Sequence, residues 1–450
     1  MSVGLNWVKE MRVYAFLIAL FLFMLFLSSC SAATVHAALS WNVQTVDENG
    51  ALISSYCPIV VDSNNTAHIA YTVWSEGTER AWPNYFVMYA SWNGSGWSTQ
   101  KVSNGSAYSL VLDAKGNPHI LYSYYAPVYP SPTGLMYASW TGSSWISQTI
   151  DPNGAGYGVV ALDSSDNPHV AYTDGTSIKY AVWTGSSWNI QTVATYKSGD
   201  LAFRLSFALD KNNTPYIIYS SFSYADYSQA VGIRAINVTL ATYQNSSWSI
   251  QPLSLPPPTG DYGNIVVDSK GYLHSIFTQH HYASSENKTI LSTILYGSWN
   301  GTAWNTQTVV SNISFNSMSL ALDSNDYPHI FTSSGTYASW TGKTWETQTA
   351  NLNRTAYGPC YLAVNSTGNP HISYLQQSPS QVIANITYAT ATETTQTSSP
   401  TAPTSPAIFP AFTTLTVVAV AIIAVVVVVT YVWRKKTSLK NKTRQQSSSQ

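Results

Sequence analysis

Five carboxylate–imidazole pairs recur in this chain with the same spacing: Asp62/His68, Asp113/His119, Asp163/His169, Asp268/His274 and Asp323/His329. Such groups ligate transition metals when several converge on one ion. A carboxylate can instead start an Asx-type turn, with the imidazole bonding across the hairpin. Which chemistry applies depends on how the pairs are arrayed.

Each pair lies in one kind of segment, and that segment occurs seven times. It reads DSNNTAHIAY at Asp62, DAKGNPHILY at Asp113, DSSDNPHVAY at Asp163 and DKNNTPYIIY at Asp210. DSKGYLHSIF at Asp268, DSNDYPHIFT at Asp323 and NSTGNPHISY at Asn365 follow. The starts are 51, 50, 47, 58, 55 and 42 residues apart, a period that means an array of like supersecondary units. Copies of a structural motif are spread radially, so their imidazoles stand apart instead of surrounding one ion. Tyr216 in the fourth copy and Asn365 in the seventh interrupt a ligand pattern. No copy carries the alternating acids of a calcium loop. No metal is therefore expected. The Asp of each copy should start an Asx turn, Pro should stiffen it, and His should bond across the hairpin.

A second motif alternates with the first: Trp-x-Gly-x-x-Trp, beginning at Trp92, Trp140, Trp183, Trp299 and Trp340, with a degraded copy from Thr242. Asn-Gly and Thr-Gly between strand-like runs are hairpin signals. Each unit then parses into four strands, for the third unit 156–163, 169–173, 177–183 and 187–193. Aromatic and β-branched residues alternate there with polar ones, as half-buried strands require. Seven such units predict an all-β, seven-bladed β-propeller of four-stranded blades; an open solenoid is the rival. The ends decide. Trp41–Val46 is a lone copy of a fourth strand, while the last unit, through 371–375 and 384–391, lacks one. The N-terminal strand should close the ring. Cys57 and Cys360 stand five residues before Asp62 and Asn365, in units that closure makes neighbours. A disulfide across the seam is expected in an exported domain. The second Trp of each hairpin should pack between blades.

The flanks predict export. Residues 13–28 are an apolar run behind Lys9 and Arg12, so residues 1–38 read as a signal peptide. Leu27-Ser28-Ser29-Cys30 also resembles a lipobox, which would place a lipid on Cys30. Residues 39–391 form the ectodomain and 392–410 a Thr/Ser/Pro-rich stalk. Residues 411–433 carry no charge over 23 positions and are long enough to span a bilayer. Six basic residues and no acid follow in 434–450, which places that tail in the cytoplasm. Between signal and anchor stand 20 acidic and 12 basic residues, a net charge of −8. That argues against nucleic acid or anionic lipid as the partner. Twelve Asn-x-Ser/Thr sequons on an exported chain favour a glycosylated surface.

The Gly-x-x-Trp turns resemble degenerate Asp-box (BNR, sialidase-type) repeats, and the Asp…Asn-Pro-His-Ile-x-Tyr units resemble those of microbial surface propellers. The likeness covers about residues 41–391. It departs from the full box, whose Asp is replaced by Asn or Trp and whose Ser91-to-Trp97 spacing is one residue short. The resemblance implies that the loops between second and third strands, with the links between blades, form the binding face. Two of these loops are minimal, at 174–176 and 333–335. Four are enlarged. The first carries Trp74, Glu76, Glu79, Arg80 and Trp82; the second, Tyr124, Tyr125 and Tyr129. The fourth unit offers Tyr224, Asp226 and Tyr227, and the fifth His280, His281 and Tyr282 with Glu286. Aromatics mixed with acids and amides suit a carbohydrate or peptide cleft.

A sialidase would need three arginines about one carboxylate. The ectodomain has Arg80, Arg204, Arg234 and Arg354, and no arginine motif precedes the first blade. Glu76 or Glu79 with Asp226 or Asp261 could supply two facing carboxylates, but nothing in the sequence pairs them. Motifs of serine hydrolases, metallopeptidases and phosphate loops are absent from the sequence, and no cofactor is expected. The expectation is an extracellular recognition protein held by one C-terminal helix, binding glycans or partner proteins. The alternatives are a structural envelope glycoprotein and a degenerate glycosidase.

Overall fold

The computed structural model describes residues 39–52, 56–75, 84–125, 133–154, 156–196, 200–223, 237–253, 255, 259–282, 290–315, 317–350, 352, 358–377 and 383–393. The chain divides into units Met1–Thr394 and Thr395–Gln450, and every described residue belongs to the first. The expected signal peptide, Cys30, the apolar span 411–433 and the basic tail lie outside the described residues. Among the described residues no helix is long and apolar enough to cross a membrane.

The fold is a seven-bladed propeller. Strand β1 spans Leu39–Leu52. Blade one comprises β2 (Ile59–Val61), β3 (Ala67–Ser75), β4 (Asn84–Trp92) and β5 (Trp97–Asn104); blade two, β6 (Ser106–Leu112), β7 (Pro118–Tyr125), β8 (Thr133–Trp140) and β9 (Trp145–Asp151). Blade three holds β10 (Gly158–Leu162), β11 (Pro168–Thr173), β12 (Ser177–Trp183) and β13 (Trp188–Thr195). In blade four, β14 (Asp200–Leu209) precedes β15 (Pro215–Ser223), β16 (Asn237–Gln244) and β17 (Ser247–Pro252). Blade five is β18 (Thr259–Val267), β19 (Leu273–Tyr282), β20 (Ile290–Trp299) and β21 (Trp304–Ile313). Blade six follows with β22 (Met318–Leu322), β23 (Pro328–Thr332), β24 (Thr336–Trp340) and β25 (Trp345–Thr349). Blade seven ends the chain with β26 (Cys360–Val364), β27 (Pro370–Gln377) and β28 (Ile383–Glu393). Each sheet is an antiparallel meander in strand order, and β1 is the fourth strand of blade seven.

Burial explains which residues form which strand. The second strand of each blade is covered on both faces by its neighbours, so it reads as a continuous apolar run; β11 is buried at its first five positions. The fourth strand lies at the rim and is largely exposed, as in β13. The aromatic that ends the repeat is fully buried as Tyr71, Tyr122, Tyr172, Phe277 and Tyr374. Burying one such side chain contributes about 1.5–3 kcal/mol.

Closure follows the sequence expectation and extends it. Strand β1 pairs with β28 from Leu39↔Glu393 to Leu52↔Ile383, well beyond 41–46, with register shifts on either side of Asp47. The shifts accompany a buried contact: the Tyr71 hydroxyl donates to Asp47 Oδ2 at 2.7 Å. Ser373 Oγ donates to the Cys57 carbonyl across the seam.

The expected disulfide is not formed. Cys57 and Cys360 are both buried thiols. Their equivalence within the repeat is the reason. Cys57 packs with Leu375, Ala384 and Ile386 of blade seven. Cys360 packs with Phe331, Ala350 and Leu352 on the side of blade six, its Sγ 3.7 Å from the Ser317 carbonyl. Each thiol faces the blade before its own. Rotational symmetry therefore turns both the same way around the ring, and adjacent blades do not bring them face to face.

Candidate functional site

The repeated Asp forms the Asx turn that its position suggests. One carboxylate oxygen of Asp62 accepts the N–H groups of Asn64 (2.9 Å) and Thr66 (2.7 Å). The same two bonds recur at Asp113, Asp163, Asp210, Asp268 and Asp323, and through the amide oxygen of Asn365. Position four of each turn has positive φ and is filled by Asn65, Gly116, Asp166, Asn213, Gly271, Asp326 or Gly368, the residue types that tolerate that region. Where it is Asp166, Asn213 or Asp326, the side chain reaches back to cap the turn of the preceding blade.

Six histidines bond to a tyrosine of the third strand. His68 Nδ1 lies 2.5 Å from the Tyr89 hydroxyl, His329 2.5 Å from Tyr337 and His371 2.7 Å from Tyr388. His119, His169 and His274 meet Tyr137, Tyr180 and Tyr296 in the same way. Burial pushes Tyr89 and Tyr388 up to about 12 and raises the other four as well. A turn carboxylate beside Nε2 in five blades favours the tautomer with its proton on Nε2, in which Nδ1 accepts from the phenol. In five blades Nε2 then faces the turn carboxylate at 3.3–3.7 Å, an electrostatic contact longer than a hydrogen bond. Blade seven has Asn365 there. Burial holds all six imidazoles below their ordinary value, His371 at about 4. The most exposed of the six is 8 % accessible. Each imidazole is thus engaged at one nitrogen and enclosed at the other, and His274 borders an open groove between blades five and six. Among the described residues no three metal-ligating groups converge.

The second hairpin Trp packs between blades. Its ring meets a tyrosine of the preceding blade edge-on: Trp145 on Tyr89, Trp188 on Tyr137, Trp248 on Tyr180 and Trp345 on Tyr296, with centroids 5.2–5.6 Å apart. The indole N–H of Trp145, Trp248 and Trp345 donates to Gln100, Gln191 and Gln307. The Gln three residues after the second hairpin Trp thus holds the next blade.

These turns and hairpins lie at one end of the blades. The loops between second and third strands lie at the other, together with the links between blades. Trp74 and Tyr124 are half-buried near the ends of β3 and β7, paired in register with Tyr85 and Gly134. Tyr125 pairs with Thr133, and His280, His281 and Tyr282 pair with Ser292, Leu291 and Ile290. Glu76, Glu79, Arg80, Trp82, Tyr129, Tyr224, Asp226, Tyr227 and Glu286 lie outside the described residues.

Two features of this loop face were not anticipated. Tyr56 of blade one meets Tyr157 of blade three at 4.9 Å, and both approach Tyr108 of blade two. Contact between non-adjacent blades requires that these rings meet near the propeller axis. The signal was an aromatic five or six residues before the Asp. Beside the minimal loop of blade three, Lys179 Nζ stands 3.0 Å from Asp174 and 3.2 Å from Asp151. The Tyr172 hydroxyl donates to Asp151 at 2.8 Å. The Asp174 bond raises Lys179 above its ordinary value. Although burial opposes it, the turn's N–H donors and Lys179 hold Asp174 far below the carboxylate range.

No known family's sequence profile matches the chain, and no curated protein matches it. Solved structures do. The polysaccharide lyase Uly1 is similar at a TM-score of 0.51 and 10 % identity, over 76 % of this chain and 90 % of that one. An ulvan lyase of family PL25 gives 0.49 and 10 %, covering 77 % and 95 %. A Dyadobacter fermentans protein of unknown function gives 0.44 and 10 %, covering 78 % and 98 %. At such identities the likeness concerns the fold.

Proposed function

We propose that this chain is a surface recognition protein. A signal peptide exports it, the residues that follow β28, up to 410, form a stalk, and 411–433 cross the membrane with 434–450 inside. The propeller binds glycans or partner proteins through the enlarged loops of blades one, two, four and five. Kinship of its hairpins with Asp-box repeats belongs to the same proposal.

One observation carries the reading. The repeated His side chains are buried and the repeated Asp side chains half-buried, both engaged in turn and hairpin contacts at the other end of the blades. What the loop face offers is aromatic: half-buried Trp74 and Tyr124 near the ends of β3 and β7, and half-buried Tyr56 and Tyr157 near the axis, backed by buried Tyr108. Aromatic faces with a few polar groups suit recognition. Exposed sequons at Asn64, Asn93, Asn212, Asn245, Asn300 and Asn312 favour a second reading, a structural envelope glycoprotein.

The test is to incubate the full-length protein with a defined glycan mixture and read what is retained and what is cleaved by mass spectrometry. Selective retention lost in Trp74→Ala plus Trp82→Ala supports the proposal. Cleavage would replace it with a degenerate glycosidase. Neither retention nor cleavage, with self-association in solution, would favour envelope structure.

A further inference from the structure

A groove of about 320 Å³ opens at the hairpin end of the propeller, between blades five and six, away from the loop face. Its walls include Tyr272, Trp299 and Asn300 of blade five and Asn325, Tyr327 and Trp340 of blade six. The repeat shows why this interface differs from the others. The fourth residue after the turn Asp or Asn is Thr66, Asn117, Asn167, Thr214, Tyr272, Tyr327 and Asn369 in the seven blades. In blades two and three the Asn amide returns a bond to its own Asp, at 2.8 and 3.0 Å. Blades five and six carry an aromatic ring there instead, 46 % and 38 % exposed. They are the exposed large aromatics of the described residues. Two neighbouring blades thus replace a turn-stabilising amide with a half-exposed ring, that of Tyr327 lying beside Gly342 of its own hairpin.

We propose that this groove binds a neutral saccharide. Tyrosine and tryptophan rings present flat apolar faces for the C–H side of a sugar. Asn325 supplies a donor and an acceptor for hydroxyls, and Asn300 and Gln307 their amide N–H groups, their oxygens being engaged by the hairpin turn and by Trp345. The walls are fixed in place: Ser269 of blade five donates to Asp326 of blade six through its N–H (3.0 Å) and its hydroxyl (2.6 Å). Asp268 and Asp326 face the groove with one cation, Lys270. This balance disfavours sugar acids and selects for uncharged rings.

The experiment is saturation-transfer NMR on the full-length protein in a non-glycosidic detergent. The probes are cellobiose, maltose, lactose, mannobiose and diacetylchitobiose, with glucuronic acid as the charged comparison. The variant is Tyr272→Asn plus Tyr327→Asn, which installs the residue that blades two and three use and so keeps the turn. At least one neutral disaccharide should bind the parent protein and bind the variant at least about tenfold more weakly, a loss of 1.4 kcal/mol, with the thermal midpoint unchanged or raised. Trp74→Ala, at the other end of the blades, should leave this binding intact. Failure of every neutral probe to bind, equal binding by the variant, a preference for glucuronic acid, or loss in Trp74→Ala would each overturn the assignment. Because Trp74→Ala reports on the loop face alone, the two sites succeed or fail separately.

Discussion

Trp97 of blade one stands edge-on against Tyr388 of blade seven, ring centroids 5.1 Å apart. Its indole N–H donates to Gln44 of β1 at 3.1 Å. The contact used between interior blades is thereby repeated at the seam, with both partners drawn from opposite ends of the chain. Trp97→Ala removes the ring packing and the bond together and should cost about 2–4 kcal/mol. Trp145→Ala, which breaks the matching contact between blades one and two, should cost a similar amount in denaturant melts. A cost near zero for Trp97 alone would mean that the seam is held elsewhere.

Stability should fall as the pH drops from neutral. Six imidazoles have folded values depressed below 6.5, so the unfolded chain takes up protons first. Their stabilisation is present above about pH 6.5 and is lost as pH falls through that value toward the folded one. For His371, at about 4, the loss is about 3 kcal/mol by pH 4. His371→Gln should flatten the profile of thermal midpoint against pH between 4 and 6.5. An unchanged slope would contradict the burial argument.

Non-reducing peptide mapping should recover Cys57 and Cys360 as separate thiols that alkylate once the protein is unfolded. Cys360→Ser should leave Cys57 unaltered in this assay. A linked peptide would contradict the facing of the two side chains.

Lys179→Met should destabilise the propeller by about 3 kcal/mol, because it leaves Asp151 and Asp174 close together without their cation. The depressed carboxylate values mean that this contribution is present above about pH 4 and lost as pH falls below it. The variant should therefore differ most from the parent at neutral pH. Denaturant titrations at pH 7 and pH 3 check both the size and the sign.

Much of the architecture was legible because turn chemistry repeats literally. Seven Asx turns and the lone strand at Trp41 were enough for the blade count and the closure. Side-chain facing was less accessible. Cys57, just before β2, and Cys360, at the start of β26, were rightly placed in neighbouring blades, but a linear repeat does not say that both point the same way around the ring. The tyrosine partner of each histidine was also hidden, since the loop between them varies: His329 and Tyr337 are 8 residues apart, His274 and Tyr296 are 22. Its signal was the recurring Tyr three residues before the hairpin Trp, as in Tyr137-Ala138-Ser139-Trp140. Tyr272 and Tyr327 escaped notice because they break the consensus inside its most regular segment.

The account places recognition on the loop face, and amide exchange on the full-length protein tests that placement most directly. Exchange would be followed with and without the defined glycan mixture. Protection is predicted in residues 74–84, 124–134, 221–232 and 279–288, falling away in Trp74→Ala. No protection in those segments, with protection instead confined to the hairpins beginning at Trp92, Trp140 and Trp183, would contradict it.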